Sequence, residues 1–321
     1  MRQSGHSQAW GWRDAWRSRL GPTTNFPSAR PCPTGRACFL ATTGDESGSR
    51  YVPDVVYLCR GDHELHLQLL IPTCRNSLNA AAGERPTYPC LVYVQGSAWR
   101  KQDCYKNLPQ LARIAERGIV VAVVEYRDSS MACFPAQVHD AQAAVRFVAE
   151  HADELSVDSD KIVIGGSSSG GHTAVLATLL PDENGSPAAD LPVRGVLDFY
   201  GAVSFLREDG YPTTLDAGSL TSPEGALAGG SLRENPELRY RISADTYLSS
   251  ETPMPPVLIV HGTKDRMVNC EVSTDFYNLL RAQGRKAELV LIKGGDHGGS
   301  EFYVPEAINV YEDFVRRCVR E

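Results

Sequence analysis

"IVIGGSSSGGH" (residues 162–172) places three consecutive serines between glycine pairs, directly after a short apolar run. A serine-glycine cluster is ordinarily a flexible loop without chemistry. The frame of the glycines argues otherwise. Only Ser168 has glycine two residues before it (Gly166) and two residues after it (Gly170). A reactive serine held on a tight strand-to-helix turn needs that pattern, because side chains two residues to either side would collide with neighbouring backbone. The flanks provide the strand and the helix: "KIVIGG" before the turn and "GGHTAVLATLL" after it.

Working outward, the same alternation repeats. "YVPDVVYLC" and "HELHLQLLIP" read as consecutive antiparallel strands, and "PCLVYVQG" as a buried one. Tyr105 to Arg117 has apolar residues at helical spacing, and "GIVVAVVEYR" is another continuous apolar strand. "AQVHDAQAAVRFVAEHADEL" predicts a helix, followed after the elbow by the strands "VRGVLDFYG", "PPVLIVHG" and "AELVLIKG". Helices are expected at 270–283 and near 306–320. Strands apolar along their whole length and alternating with helices indicate a mostly parallel eight-stranded sheet covered on both faces, an α/β architecture. Residues 202–252, rich in Gly, Pro and Ser, are too long for a simple connection and are expected to form a small cap or lid. Residues 1–50 form an N-terminal extension with little periodicity. There Trp12, Trp16 and Leu20 would share a helical face able to dock on the main domain or a second copy, so a homo-oligomer is possible; a disordered tail is the alternative.

Composition narrows the function. The chain has 321 residues and a formal charge of −7, with no basic stripe to neutralise phosphates, so a nucleic-acid partner is not expected. No apolar run reaches membrane-spanning length, and the first residues lack the apolar core of a secretory signal. Nine cysteines without metal-ligand spacing suggest reduced, mostly buried thiols of a cytoplasmic protein, with no metal or other cofactor.

A serine hydroxyl is inert near neutral pH and needs a base oriented by an acid. "PPVLIVHGTKD" places Asp265 in the loop after one strand, and "LVLIKGGDHGG" places His297 after the next. The order Ser168, Asp265, His297 suits a nucleophile, its acid and its base at the carboxyl edge of the sheet. Asp198 is the reserve acid, while His172 and His261 are expected to be structural and Asp296 to point away. The oxyanion donors are expected to be the amides of Ser169 and of Ser97 or Ala98, with Gly96 permitting the turn. Gly96 and Trp99 are expected to border the substrate, Trp99 closing off a deep pocket or offering a flat stacking face, with packing of its indole into the core as the alternative.

These pieces resemble a family. From about residue 51 onward the chain resembles the α/β-hydrolase superfamily, in particular the hormone-sensitive-lipase-related esterases and their feruloyl and acetyl-xylan esterase-like (BD-FAE-like) subgroup. "VYVQGSAW", "VEYR", "FPAQVHDAQAAVRFV", "GGSSSGGH", "HGTKDRMV" and "GGDHGG" carry the likeness. It implies an α/β-hydrolase fold and a serine carboxylesterase acting through an acyl-enzyme on a small ester, with short acyl or hydroxycinnamoyl esters of plant carbohydrate as substrates. Without a secretory signal, those substrates would be imported oligosaccharides. Gln95-Gly96-Ser97-Ala98 departs from the family's usual His-Gly-Gly-Gly, and Ser169 stands where a smaller residue is usual. The first 50 residues match nothing in the family. A prolyl-oligopeptidase-like peptidase and a non-catalytic binding module on the same scaffold are the competing readings.

Overall fold

The computed structural model describes residues 46–74, 86–207 and 210–320. The tryptophan face expected around Trp12 and Trp16 lies outside them. Eight strands run in the order β1-β2-β4-β3-β5-β6-β7-β8. They are β1 (Ser47–Arg60), β2 (His63–Cys74), β3 (Tyr88–Val94), β4 (Val120–Val124), β5 (Val157–Ser167), β6 (Val196–Phe199), β7 (Val257–Gly262) and β8 (Ala287–Ile292). The β1–β2 and β2–β4 pairings are antiparallel and all the others parallel. β1 starts at Ser47, four residues before the pattern change at 51.

The helices are α1 (Leu108–Ala115), α2 (Ala136–Glu150), α3 (Ala152–Leu155), α4 (Ser169–Ala177), α5 (Pro223–Ala228), α6 (Glu237–Ile242), α7 (Glu271–Ala282) and α8 (Pro305–Cys318). The helix expected over 136–155 breaks at His151. Its ring stacks on Phe147 at 4.1 Å and its Nδ1 lies 3.0 Å from the Phe147 carbonyl, and left-handed Ser156 (φ 60°) then ends α3. α4 is buried on every side, as its unrelieved apolar and small residues require.

Side chains alternate across the strands, so each face of the sheet has its own core. Val92, Val94, Ile162 and Ile164 pack with α2 and α4 on one face, while Leu91, Tyr93, Val121 and Val163 pack with α1 and α8 on the other. Parallel strands sharing one direction bring the loops after β3, β5, β7 and β8 to a single edge. Residues 202–252 include α5, α6 and a 3-10 turn at Ala244–Tyr247. Among the described residues no helix is long and apolar enough to cross a membrane, and no cluster of His, Cys, Asp and Glu could hold a metal ion. Cys90, Cys104 and Cys318 are buried and Cys270 partly so, while Cys59 and Cys133 are exposed, against the expectation of mostly buried thiols.

Candidate active site

Between β5 and α4 the chain turns at Ser168, with φ 54° and ψ −123°. A non-glycine residue in that region costs about 1–3 kcal/mol, so the surroundings must hold it there. The Ser168 amide donates to the Phe199 carbonyl at 2.8 Å, anchoring the turn to the end of β6. The two framing glycines are required sterically: a Cβ on Gly170 would sit 2.0 Å from the Val94 carbonyl oxygen, and one on Gly166 2.5 Å from the backbone of Gly170. Real Cβ contacts never come so close.

Each of the three serines has a different task. The Ser168 hydroxyl lies 2.8 Å from His297 Nε2, and His297 Nδ1 lies 2.6 Å from Asp265 Oδ2. A carboxylate only accepts, so Nδ1 carries the proton and Nε2 is free to accept from Ser168. Asp265 Oδ1 accepts the amides of Met267 and Val268, both at 2.9 Å. Burial would raise the Asp265 pKa, but hydrogen bonds from His261 and His297 outweigh it and hold the group well below the usual carboxylate range.

The outer serines hold the loop after β3. The Gly96 amide donates to Ser167 Oγ at 3.3 Å, and the Ser97 amide donates to Ser169 Oγ at 2.9 Å. Proton accounting extends this into a directed chain. Ser97 Oγ donates to the Arg100 carbonyl at 2.5 Å, so the Tyr126 hydroxyl, 3.1 Å away, donates to Ser97. Ser169, 3.3 Å from Tyr126 Oη, in turn donates to Tyr126. Buried Tyr126, on the loop after β4, was not singled out in the sequence; its only signal there was its place in the "VEYR" segment.

This arrangement bears on which of the expected amides is free to act. The Ser97 amide is already committed to Ser169, so it is not free to bind an oxyanion. The Gly96 amide is committed to Ser167, and a Cβ on Gly96 would meet the Ser167 carbonyl oxygen at 2.3 Å. Gly96 therefore packs closely against the elbow, where a side chain would not fit. Among the described residues the amides of Ala98 and Ser169 have no acceptor. Ala98 and Trp99 both adopt left-handed backbone, with φ 55° and 52°.

Trp99 is also corrected. Its ring is 2% exposed and belongs to the core, so it offers no face for stacking. The reason is its indole N–H, which donates to His172 Nδ1 at 3.2 Å. His172 in turn donates from Nε2 to the Ile242 carbonyl at 2.7 Å, and burial lowers its pKa to about 4. The neutral ring thus ties the β3 loop to α4 and to the end of α6.

Asp198 is fully buried at the end of β6, with Oδ1 accepting the Gly201 amide at 3.0 Å and Oδ2 unpartnered. Burial pushes its pKa up to about 7. Asp296 faces Arg266, with 2.9 Å between its Oδ2 and Arg266 Nε. A cavity of about 550 Å³ opens beside the acid loop, bordered by Met267, Val268, Arg207, Asp216, Arg233 and Arg239 among others. Ser168 and His297 do not line it.

One prediction follows from the serine clamp. Ser169→Ala removes the acceptor of the Ser97 amide and should release the β3 loop. A lost buried hydrogen bond of about 1–1.5 kcal/mol corresponds to a roughly tenfold fall in kcat. Steady-state kinetics would check it; an unchanged kcat would show that the loop holds its shape without the clamp.

The BD-FAE family model matches residues 78–280 of the 321. The chain belongs to the BD-FAE family. This BD-FAE protein is 28% identical over 200 residues to the probable carboxylic ester hydrolase LipM of Mycobacterium tuberculosis, covering 61% of this chain and 45% of that one. It is 28% identical over 223 residues to the isoprenylcysteine alpha-carbonyl methylesterase ICME of Arabidopsis thaliana, covering 65% and 50%. The chain thus spans about half the length of the curated relatives it matches. Among solved structures, a truncated carbohydrate esterase from gut microbiota aligns with a TM-score of 0.69 at 23% identity, covering 86% of this chain and 98% of that one. The esterase Est2 of the Planctomycetes species Thermogutta terrifontis aligns at 0.63 and 24%, covering 84% and 92%. The BD-FAE protein has the α/β-hydrolase fold.

Proposed function

We propose that this protein is a serine carboxylesterase that cleaves short-chain acyl esters through an acyl-enzyme intermediate. The observation that carries the reading is the unbroken chain Ser168–His297–Asp265, with its 2.8 and 2.6 Å contacts. In this reading Ser168 Oγ attacks the ester carbonyl while His297 Nε2 takes its proton. The tetrahedral oxyanion is held by the amides of Ala98 and Ser169, and collapse expels the alcohol, which receives the proton from His297. Water, activated by the same imidazole, then releases the acid and restores Ser168.

The acyl side of the site supports a short chain. Ser97 and Ala98 carry side chains where the family usually has glycines, and Trp99 packs against His172 and Phe205, filling the space beneath the loop. In this reading the alcohol extends from Ser168 toward the cavity beside the acid loop, whose arginines, Asp216 and Glu224 suit a hydroxylated leaving group such as a sugar. Burial raises the pKa of Glu224, and its Oε2 is left without a partner.

A panel of p-nitrophenyl esters from acetate to octanoate, with methyl ferulate and an acetylated xylo-oligosaccharide, tests the reading. We expect kcat/KM to peak between acetate and butyrate and to fall steeply by octanoate. Arg233→Ala should raise KM for the acetylated sugar several-fold and leave p-nitrophenyl acetate unaffected. An octanoate optimum would refute the short-acyl assignment. Failure to label with a fluorophosphonate would instead support a binding module.

A further inference from the structure

Asp265 is served by two imidazoles. His261, fully buried in β7, has its Nε2 3.1 Å from Asp265 Oδ2, the oxygen that also receives His297. The same Nε2 lies 2.8 Å from the Val268 carbonyl, and His261 Nδ1 lies 2.7 Å from the hydroxyl of buried Ser273 on α7. An ionised carboxylate and a carbonyl can only accept, so Nε2 carries the proton and is shared between them. In the neutral ring, Nδ1 then accepts from Ser273. Every polar atom of His261 is therefore used, as its burial requires, and one of its partners is the carboxylate oxygen that also receives His297.

We infer that His261 is a positioning residue for the proposed reaction: it shares Asp265 Oδ2 with His297, fixes the rotation of the carboxylate and moderates the basicity of His297. The inference rests on the Ser168–His297–Asp265 reading. The physical argument concerns a single oxygen. A second N–H on Oδ2 draws off electron density that would otherwise stabilise the His297 imidazolium. It also opposes rotation about the Asp265 Cβ–Cγ bond, while the Met267 and Val268 amides hold the other oxygen. Other titratable and charged groups surround this pair. Asp198 on β6 acts on His261, Tyr200 packs its ring 4.8 Å from that of His297, and Cys270 lies before α7. Asp296, Arg266 and Glu301 complete the loops.

The test uses two variants of the full chain. His261→Gln keeps an N–H that can reach Asp265, whereas His261→Met fills similar space without a donor. On p-nitrophenyl acetate, His261→Met should lose about tenfold in kcat with KM within about twofold, in line with one lost hydrogen bond to a charged group. The acid limb of its kcat/KM profile should move to higher pH, because His297 becomes more basic. His261→Gln should restore most of kcat and return the midpoint. Independently of turnover, the low-field proton resonance of His297 Nδ1–H should move further downfield in His261→Met as its bond to Asp265 strengthens. If His261→Met fails to fold, Ser273→Ala, which frees the far side of the ring, should shift the midpoint and the resonance in the same direction by less. An unchanged midpoint and resonance, or equal losses in the Met and Gln variants, would overturn the inference. If the unmutated protein hydrolysed no ester, the esterase reading would fail, while the resonance would still report the shared oxygen.

Discussion

Ser168→Ala is expected to abolish ester turnover, lowering kcat by roughly 10⁶-fold, the scale seen when a triad nucleophile is removed. The hydroxyl 2.8 Å from His297 Nε2 belongs to Ser168 alone. Its neighbours are engaged elsewhere: Ser167 Oγ accepts from Gly96 and Ser169 Oγ from Ser97. Ser167→Ala should therefore retain most activity, and Ser169→Ala should show only the tenfold loss predicted above. Alanine keeps the Cβ and hence the backbone strain at φ 54°, so the melting temperature of Ser168→Ala should be unchanged within a degree or two. Active-site titration with a fluorophosphonate, together with steady-state kinetics on all three variants, decides the matter. Equal losses at 167, 168 and 169 would show that the elbow is in a different frame.

Asp265→Asn should lower kcat about 10³- to 10⁴-fold with little change in fold. The carboxylate holds His297 in the tautomer that leaves Nε2 free to accept from Ser168; an amide can donate to Nδ1 and so select the opposite tautomer. The environment keeps this acid ionised. Its pKa lies below 3.8, so its stabilising contribution is fully present above that pH and is lost only as pH falls through the lower folded value. Asp198→Asn is the matched control. The pKa of that carboxyl is pushed up to about 7 by burial, and it accepts from the Gly201 amide rather than from a histidine. Its replacement should cost far less than that of Asp265. The reverse ranking would move the acid to β6.

Much of this was legible in the sequence, for local reasons. The frame around Ser168 follows from collisions between atoms a few residues apart, which glycine alone avoids. The strands of the parallel sheet are apolar throughout because both faces are covered, and that pattern needs no partner to be recognised. The positions of Asp265 and His297 follow from chain order, since each loop comes directly after a strand of the same direction.

The remaining assignments depended on hydrogen-bond partners that only the folded chain brings together. Trp99 could have been a stacking face or a core ring, and the sequence alone did not distinguish them. Its burial was decided by His172, 73 residues away, which offers the acceptor its indole N–H requires. The candidate oxyanion donors cannot be ranked from sequence, because the Ser97 amide is taken by Ser169, 72 residues away. His261 looked structural on its strand, and its link to Asp265 depends on how the loop folds back over only four residues. Apolar periodicity and glycine sterics are properties of the chain itself, and these determined the fold and the position of Ser168 at the turn. Hydrogen-bond partnership is assigned by competition among groups that only folding brings together, and this decided which amides, hydroxyls and imidazoles remain free to act.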